Sequence, residues 1–267
     1  LSVPYPGSKA RTALDLLEKI MRGRGDWSKS HHPFTVHRLD RDTSGVMVFA
    51  LNEAAQRRLM ASWHDGNTHK VYRAVAENPG KAARKELADE GTIDEPLAEN
   101  AYHVAYVVKN GGAAGKDGGP QKTVRAVTRY RIVHRGPTHT LFELTLDTGK
   151  KNQIRAHLSF LGYPLAGDEN YRARTDPFHR LALHARRLEF LHPVTGKKMS
   201  FEIPEDAFWL EYVQKGDERP AAPVWKQERQ EHRKEEGMPD SVPPAHRRIS
   251  AKERAHGSYV ALGRQGF

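Results

Sequence analysis

At the start of the chain, segments whose apolar residues have helical spacing are followed by segments whose apolar residues have the spacing of a strand. Apolar residues recur three to four positions apart after Thr12, a residue type that caps helices, so a first helix is predicted there. The apolar run at residues 46–49 predicts a buried strand, and Asn52 caps a second predicted helix. Residues 70–75 then alternate between two faces, as an extended strand does. The pattern therefore predicts helix, strand, helix and strand in that order.

The middle of the chain continues with strands around one short helix. The further predicted strands span residues 124–133, 140–146, 181–190 and 200–203. The predicted helix follows Gly149, and its apolar stripe consists of Ile154, Leu158 and Leu161. Gly162 marks its end, and the compact part of the chain is expected to close at Pro204. The glycine-rich stretch at 110–119 lacks any GxGxxG pattern and is interpreted as a flexible hairpin loop.

The carboxyl-terminal part differs in composition from the rest of the chain. Hydrophobic residues make up 37% of the sequence, below the ordinary globular level of roughly 45%. Much of that deficit falls in residues 217–254, which mix charges of both signs with five prolines. We therefore expect one compact domain over residues 1–214 and a largely irregular extension over residues 215–267.

Charge and cysteine content narrow the possible partners and compartments. The chain has 43 Lys plus Arg against 33 Asp plus Glu, a formal net charge of +10, which favours a polyanion such as nucleic acid. It has no cysteine, so disulfides and thiolate metal sites are excluded, and its histidines lack metal-ligand spacing. No apolar run is long enough to span a bilayer, and no signal-peptide pattern opens the chain. A cytoplasmic location is expected.

Three residues are candidates for chemistry on local grounds. Asp40 lies between Arg38 and Arg41 beside the apolar run, where a neighbouring cation keeps a carboxylate ionised and able to act as nucleophile or base. Arg155 lies on the short predicted helix, and Tyr72 lies on the strand at 70–75. Taken singly, each has a commoner explanation: a loop ion pair for Asp40, a solvent-facing side chain for Arg155 and packing for Tyr72.

Read together, the segments that contain these residues resemble one enzyme family. The stretch His-Arg-Leu-Asp-Arg-Asp-Thr-Ser-Gly at 37–45 resembles the signature of the RluA-type pseudouridine synthases. Later segments in the family's order are residues 70–74, 146–158, 162–171 and 183–193. The resemblance covers roughly residues 1 to 210. It departs at Asn152, where the family usually has histidine, and at Arg172, where it commonly has glycine.

The resemblance implies a fold and a reaction. The fold is mixed α/β (α+β), with a long, bent, mostly antiparallel sheet, flanking helices and a catalytic cleft across it. The reaction is isomerisation of a flipped-out uridine in a ribosomal or transfer RNA stem-loop, without metal or other cofactor, and the enzyme is expected to be a monomer. Two rival functions remain open: a catalytically silent RNA-binding protein on the same scaffold, and a nucleic-acid glycosylase.

The resemblance also implies roles for individual residues. Asp40 is the catalytic carboxylate, either adding to C1′ or removing a 2′ proton; Arg155 pairs with it; and Tyr72 stacks on the base near C5. Arg38 is expected to occupy the space that the flipped base leaves. The remaining expected substrate-binding residues are His37, Arg41, Lys70, Lys150 and Lys151.

Overall fold

In the computed structural model of this chain, the described residues are Ser2, 11–80, 86–108 and 122–217. The chain divides between Pro220 and Ala221, and every described residue belongs to the first unit. The glycine-rich stretch at 110–119 lies outside the described residues, as does the predicted extension from residue 218 onward. Among the helices of the described part, none is long and apolar enough to cross a membrane.

Four helices and eleven strands make up the described part. The helices are α1 (Ala13–Arg24), α2 (Glu53–His64), α3 (Gln153–Phe160) and α4 (Phe208–Lys215). The strands are β1 (Phe34–Thr35), β2 (Ser44–Gly45), β3 (Phe49–Ala50), β4 (His69–Glu77), β5 (Glu90–Asp94), β6 (Leu97–Glu99), β7 (Ala105–Val107), β8 (Val127–Arg135), β9 (His139–Leu146), β10 (Leu183–Leu191) and β11 (Lys198–Glu202). The predicted caps of the first two helices are confirmed, because Thr12 and Asn52 both accept hydrogen bonds from first-turn amides.

One seven-stranded sheet organises the molecule. Its order is β11–β10–β4–β9–β8–β5, and β2 pairs with β10 beside that path. All pairs in this sheet are antiparallel except β2 with β10, which is parallel. The prediction of a mixed and mostly antiparallel sheet is confirmed. Two small antiparallel pairs, β1–β3 and β6–β7, flank it within the described residues.

The two faces of the sheet bury different sets of apolar side chains. Ala74 on β4 packs with Phe142 on β9 and with Leu158 on α3, in a cluster whose members are nearly inaccessible to solvent. The next residue, Val75, packs on the other face with Leu141 and residues of α4. This alternation follows from the period of two along a strand. Strand β4 therefore presents successive residues to two separate environments.

Helix α4 corrects the expectation that the compact part closes at Pro204. It begins at Phe208, and its residues Trp209 and Val213, one turn apart, are buried against the sheet. Its N-cap position is occupied by Ala207, which makes no side-chain capping hydrogen bond, so the sequence lacks the start signal that marks α1 and α2. Its packing covers the face of the sheet opposite to α3.

The prediction of one continuous strand over residues 46–49 is wrong, although the run begins with a buried residue, as its apolar character indicated. Two short strands, β2 and β3, flank residues 46–48, and Val46 is buried and donates its amide to the carbonyl of Ala185. Gly45 precedes it with φ +119, and a Cβ there would lie 2.2 Å from the Ala185 oxygen. Only glycine allows this close approach, which ties the preceding turn to β10.

Candidate active site

A cleft of about 830 Å³ crosses the molecule beside β4. It is lined by the turn before β2, the end of α2 and the start of β4, and on its other side by the end of β9 and the start of α3. The predicted residues that line it are His37, Arg38, Asp40, Lys70, Tyr72, Lys150 and Arg155. Segments distant in sequence thus meet at one concave surface of the size that ordinary ligand sites have.

Asp40 is held in a tight turn at the edge of this cleft. Its carbonyl accepts the amide of Thr43, and the residue before it, Leu39, is buried. One carboxylate oxygen, Oδ2, accepts a hydrogen bond of 2.8 Å from Nδ2 of Asn152. Among the described residues, this is the one side chain that hydrogen-bonds the Asp40 carboxylate. The second oxygen, Oδ1, therefore receives no side-chain hydrogen bond from that part of the chain.

The start of α3 presents Asn152 toward Asp40. Gln153 anchors the helix because its side chain is buried, accepts the amide of Lys150 and donates to the carbonyl of Val127 on β8. Asn152 precedes it in the left-handed conformation, with φ 51, and its side chain makes no capping hydrogen bond to the helix. The side-chain amide of Asn152 can therefore donate to the carboxylate of Asp40.

Arg155 is buried on α3, but its ion-pair partner is not the predicted one. Its Nε and Nη2 donate to the two carboxylate oxygens of Asp168, both at 2.7 Å, and the Asp168 side chain is fully buried. The expectation that Arg155 pairs directly with Asp40 is therefore wrong. Burial lowers the pKa of Arg155, but Asp168, with smaller contributions from Tyr171 and Asp40, raises it above the usual value. Arg155 acts on Asp40 through charge alone.

Tyr72 is positioned by β4 and faces the cleft. Burial, and then the negative charge of Asp40, raise the pKa of its phenol to about 12. At pH 7 only about one phenol in 10⁵ is ionised at such a pKa. Tyr72 is therefore a flat, neutral hydrogen-bond donor beside Asp40. Its ionised form is too rare at neutral pH to serve readily as a proton acceptor.

His37 and Lys70 form the next part of the cleft wall. His37 stacks on Trp63 with 4.9 Å between ring centroids, and its Nε2 accepts the amide of Val48, which assigns the ring proton to Nδ1. Burial, and then the charge of Lys70, lower the pKa of His37 to about 4, so the ring is neutral at pH 7. Burial also lowers the pKa of Lys70. Within the described residues Lys70 has no carboxylate partner.

Two of the predicted substrate-binding residues do not line the cleft. Arg41 is exposed and its Nε lies 3.3 Å from Oδ1 of Asp42. Lys151 pairs with Glu99, with 3.0 Å between Nζ and Oε1. Both cations are adjacent in sequence to cleft residues, but the turn and the helix start direct them outward.

The sequence reasoning missed both direct partners in this site. Asp168 belongs to a motif that was recognised, yet no local pattern marks it as the acid that binds Arg155. Asn152 was identified only as a departure from the family. Its positive φ, which is uncommon outside glycine, would have been a signal, but it is visible only in three dimensions.

Comparison with known proteins identifies relatives of this chain. A family model described as RNA pseudouridylate synthase matches residues 15–160. Ribosomal large subunit pseudouridine synthase D of Pseudomonas aeruginosa is 37% identical over 191 residues, which cover 66% of this chain and 54% of that protein. YlyB of Bacillus subtilis, named as an uncharacterized RNA pseudouridine synthase, is 36% identical over 206 residues, which cover 76% of this chain and 63% of that protein.

The match covers only part of the length of the curated relatives, and solved structures match as well. The chain spans about half the length of the synthase D proteins that it matches, including that of Escherichia coli at 35% identity and 56% of its length. A human protein, RNA pseudouridylate synthase domain containing 4, superposes with a TM-score of 0.59 at 23% identity, over 75% of this chain and 81% of that one. At that identity the superposition is evidence of a shared fold.

Proposed function

Since this chain belongs to the RNA pseudouridylate synthase family, we propose that it isomerises a uridine within RNA to pseudouridine, with Asp40 as the catalytic carboxylate. One observation carries the proposal. Asp40, Tyr72 and Arg155, which come from three separate segments, line the same cleft, and the charge of Asp40 influences the pKa of both of the others. A carboxylate, a neutral planar donor and a fixed cation suit uridine isomerisation.

The reaction needs one free carboxylate oxygen. The bond between N1 of uracil and C1′ of ribose breaks with its electron pair left on N1, the base turns in the pocket, and C5 bonds to C1′. The C5 proton is then lost to solvent and N1 gains a proton, so no atom is gained or lost overall. Asp40 either adds to C1′, forming an ester bond that breaks when C5 bonds there, or removes the 2′ proton and returns it at that step, and it must be ionised for both routes. Its Oδ2 accepts from Asn152, so Oδ1 is the oxygen that we assign to the substrate. Arg155, held by Asp168, supports the negative charge from a distance.

The base must leave the helical stack to reach this carboxylate, since C1′ and C5 are inaccessible within paired RNA. Tyr72 offers a flat neutral ring for stacking beside Asp40. Lys70, a cleft cation without a carboxylate partner in the described part of the chain, is suited to an RNA phosphate. Arg38 is exposed at the same rim and is assigned to the space that the flipped base vacates. Phosphate contacts of this kind offset the cost of unstacking, a few kcal/mol.

We propose RNA of the large ribosomal subunit as the first substrate to test. The support is that several relatives are named for that RNA. Transfer RNA is the alternative substrate. Two alternative functions would use the same cleft. One is RNA binding without chemistry, and the other is glycosidic cleavage with release of free base.

The test compares wild-type protein with Asp40→Asn on synthetic stem-loops and on whole ribosomal and transfer RNA. Carbodiimide mapping locates pseudouridine, and filter binding measures affinity for RNA. We expect Asp40→Asn to lower kcat by at least about 10³-fold, because the substituted amide cannot act as nucleophile or base. RNA affinity should change little.

Asp42→Asn is the matched control. It removes a carboxylate two residues away that is exposed and pairs with Arg41, outside the cleft lining. We expect near wild-type kcat from it. Turnover retained in Asp40→Asn would remove Asp40 from the chemistry. Free uracil as the wild-type product would support the glycosylase, and wild-type binding without any product would support the silent RNA-binding protein.

A further inference from the structure

We infer that Asn152 is a positioning residue for the reaction: it holds Asp40 through Oδ2 so that Oδ1 faces the substrate. The inference rests on the proposed function and deepens it. The main evidence is the 2.8 Å hydrogen bond from Asn152 Nδ2 to Asp40 Oδ2, which joins residues 112 positions apart in sequence. It joins the turn before β2 to the start of α3.

The backbone at Asn152 is in a conformation that residues other than glycine seldom adopt. Its φ is 51 and its ψ is 21, in the left-handed region. Asparagine before a helix ordinarily caps a first-turn amide, but here the side chain makes no such bond. Both departures have one result, because they direct the side-chain amide to Asp40.

Other groups around Asp40 cannot replace this contact. Arg155 is turned to Asp168 through Nε and Nη2. The charge of Asp40 raises the pKa of Tyr72 on β4, of Tyr171 after α3 and of Arg155. None of these three side chains hydrogen-bonds the Asp40 carboxylate. The titratable groups that face Asp40 thus surround it without fixing the direction of its oxygens.

The amide has a chemical advantage as the holding group. It does not titrate, so it donates to the carboxylate at every pH at which the protein is folded. Loss of the donor should therefore allow the carboxylate to rotate away from the reacting atoms, which lowers kcat. The side chains that bind the rest of the RNA are unchanged, so KM should stay close to its wild-type value.

The test uses Asn152→Gly, since glycine adopts the left-handed conformation freely and deletes only the side chain. We expect kcat to fall about 10- to 100-fold, the effect of losing one hydrogen bond to a charged group, with KM within about twofold. Asn152→Asp keeps the shape but replaces the donor with a negatively charged acceptor, so kcat should fall by at least as much.

His179→Gly is the matched control. His179 is exposed, lies outside the cleft lining and has the same φ of 51, so its replacement changes an equivalent backbone position away from Asp40. We expect wild-type kcat and KM. An Asn152→Gly protein with wild-type kcat would overturn the inference, and so would equal losses of kcat in both glycine variants or a loss that appears in KM alone. If wild-type protein makes no pseudouridine at all, the proposed function itself fails, which is a separate result.

Discussion

Tyr72 and Arg73 are neighbours on β4, yet they belong to two regions whose charges are arranged differently. Tyr72 faces the cleft, where Asp40 and Arg155 lie. Arg73 faces the opposite side of the sheet, among arginines and glutamates of β8, β9, β10 and the segment after β11. Because successive residues of a strand point to opposite faces, one strand serves both regions.

On the Arg73 side, the two carboxylates that Arg73 contacts each have a second arginine. Glu143 lies 3.0 Å from Arg73 and 2.7 Å from Arg131. Glu205 lies 2.6 Å from Arg186 and 3.4 Å from Arg73. Removing one arginine therefore leaves each acid with a partner. This region is a network with duplicate connections.

On the cleft side, each contact is single. Asp168 is bound by Arg155 through two hydrogen bonds, and Asp40 by Asn152 through one. Loss of either donor leaves a carboxylate that no other described side-chain cation or amide reaches. Both regions contain several charged side chains, so the number of charges does not distinguish a reactive region from a structural one. The number of partners that each carboxylate has does. At Asp40 the single contact leaves one carboxylate oxygen open to substrate, whereas both oxygens of Glu143 are paired with arginines.

The largest effect that this comparison predicts is at Arg155. We expect Arg155→Lys to lower kcat about 100-fold, because an ammonium group cannot reproduce the two parallel hydrogen bonds to Asp168. The free energy of unfolding should fall by about 1–3 kcal/mol, since the buried Asp168 loses one hydrogen bond. Single-turnover kinetics and urea unfolding measure the two quantities.

Arg186→Lys is the control on the other face. Arg186 directs Nε and Nη2 toward Glu202 and Nη1 toward Glu205, but Glu205 keeps Arg73. We expect unchanged kcat and a smaller loss of stability. Equal kinetic losses in the two variants would show that the guanidinium of Arg155 has no special place in the reaction.

A smaller effect is expected at Tyr72. Tyr72→Phe keeps the ring for stacking and removes the hydroxyl, so we expect kcat to fall about 10-fold, the effect of one hydrogen bond. The phenol, with its pKa raised to about 12, remains protonated far above neutral pH. The ratio of wild-type to variant kcat should therefore be constant between about pH 6 and 9.

A phenolate acting as proton acceptor would give a different result. Its population in the wild-type protein rises tenfold with each pH unit below its pKa. The ratio would then climb steeply over the same range. That outcome would assign Tyr72 the role of general base and contradict the neutral-donor assignment.

Much of the fold could be predicted from the sequence because its longer elements have clear periodicity. Strand β4 and the first two helices followed from alternation and capping residues, and both caps are present. The run after Gly45 could not be assigned correctly, since its burial comes from a close approach to Ala185 and not from a strand ladder. Helix α4 was missed because Ala207, at its N-cap position, is not a capping residue type and gives no start signal.

The candidate site could be predicted as a set of residues but not as a set of contacts. Motif order brought Asp40, Tyr72 and Arg155 together, and all three line one cleft. The partner of Arg155 depends on side-chain direction, which the sequence does not contain. Arg155 binds Asp168, thirteen residues later, and the contact of Asp40 spans 112 residues. Such pairings are decided by tertiary packing.

The smallest effect is expected at Arg73, and it tests the duplicate network directly. Burial lowers the pKa of Arg73 while Glu143 and Glu205 raise it, and its Nε and Nη1 are buried without a hydrogen-bond partner in the described residues. Its pairing therefore only partly offsets its desolvation. We expect Arg73→Leu to change the free energy of unfolding by less than about 1 kcal/mol, because Glu143 keeps Arg131 and Glu205 keeps Arg186.

The same variant should keep wild-type kcat, although residue 73 adjoins Tyr72 in the chain, because its side chain lies on the opposite face of the sheet. Urea unfolding and single-turnover kinetics measure both quantities. A loss of several kcal/mol would mean that Arg73 is as singly paired as Arg155, and the contrast between the two faces would fail. A loss of kcat at unchanged stability would instead show that β4 transmits changes from one face to the other, so that the cleft depends on both.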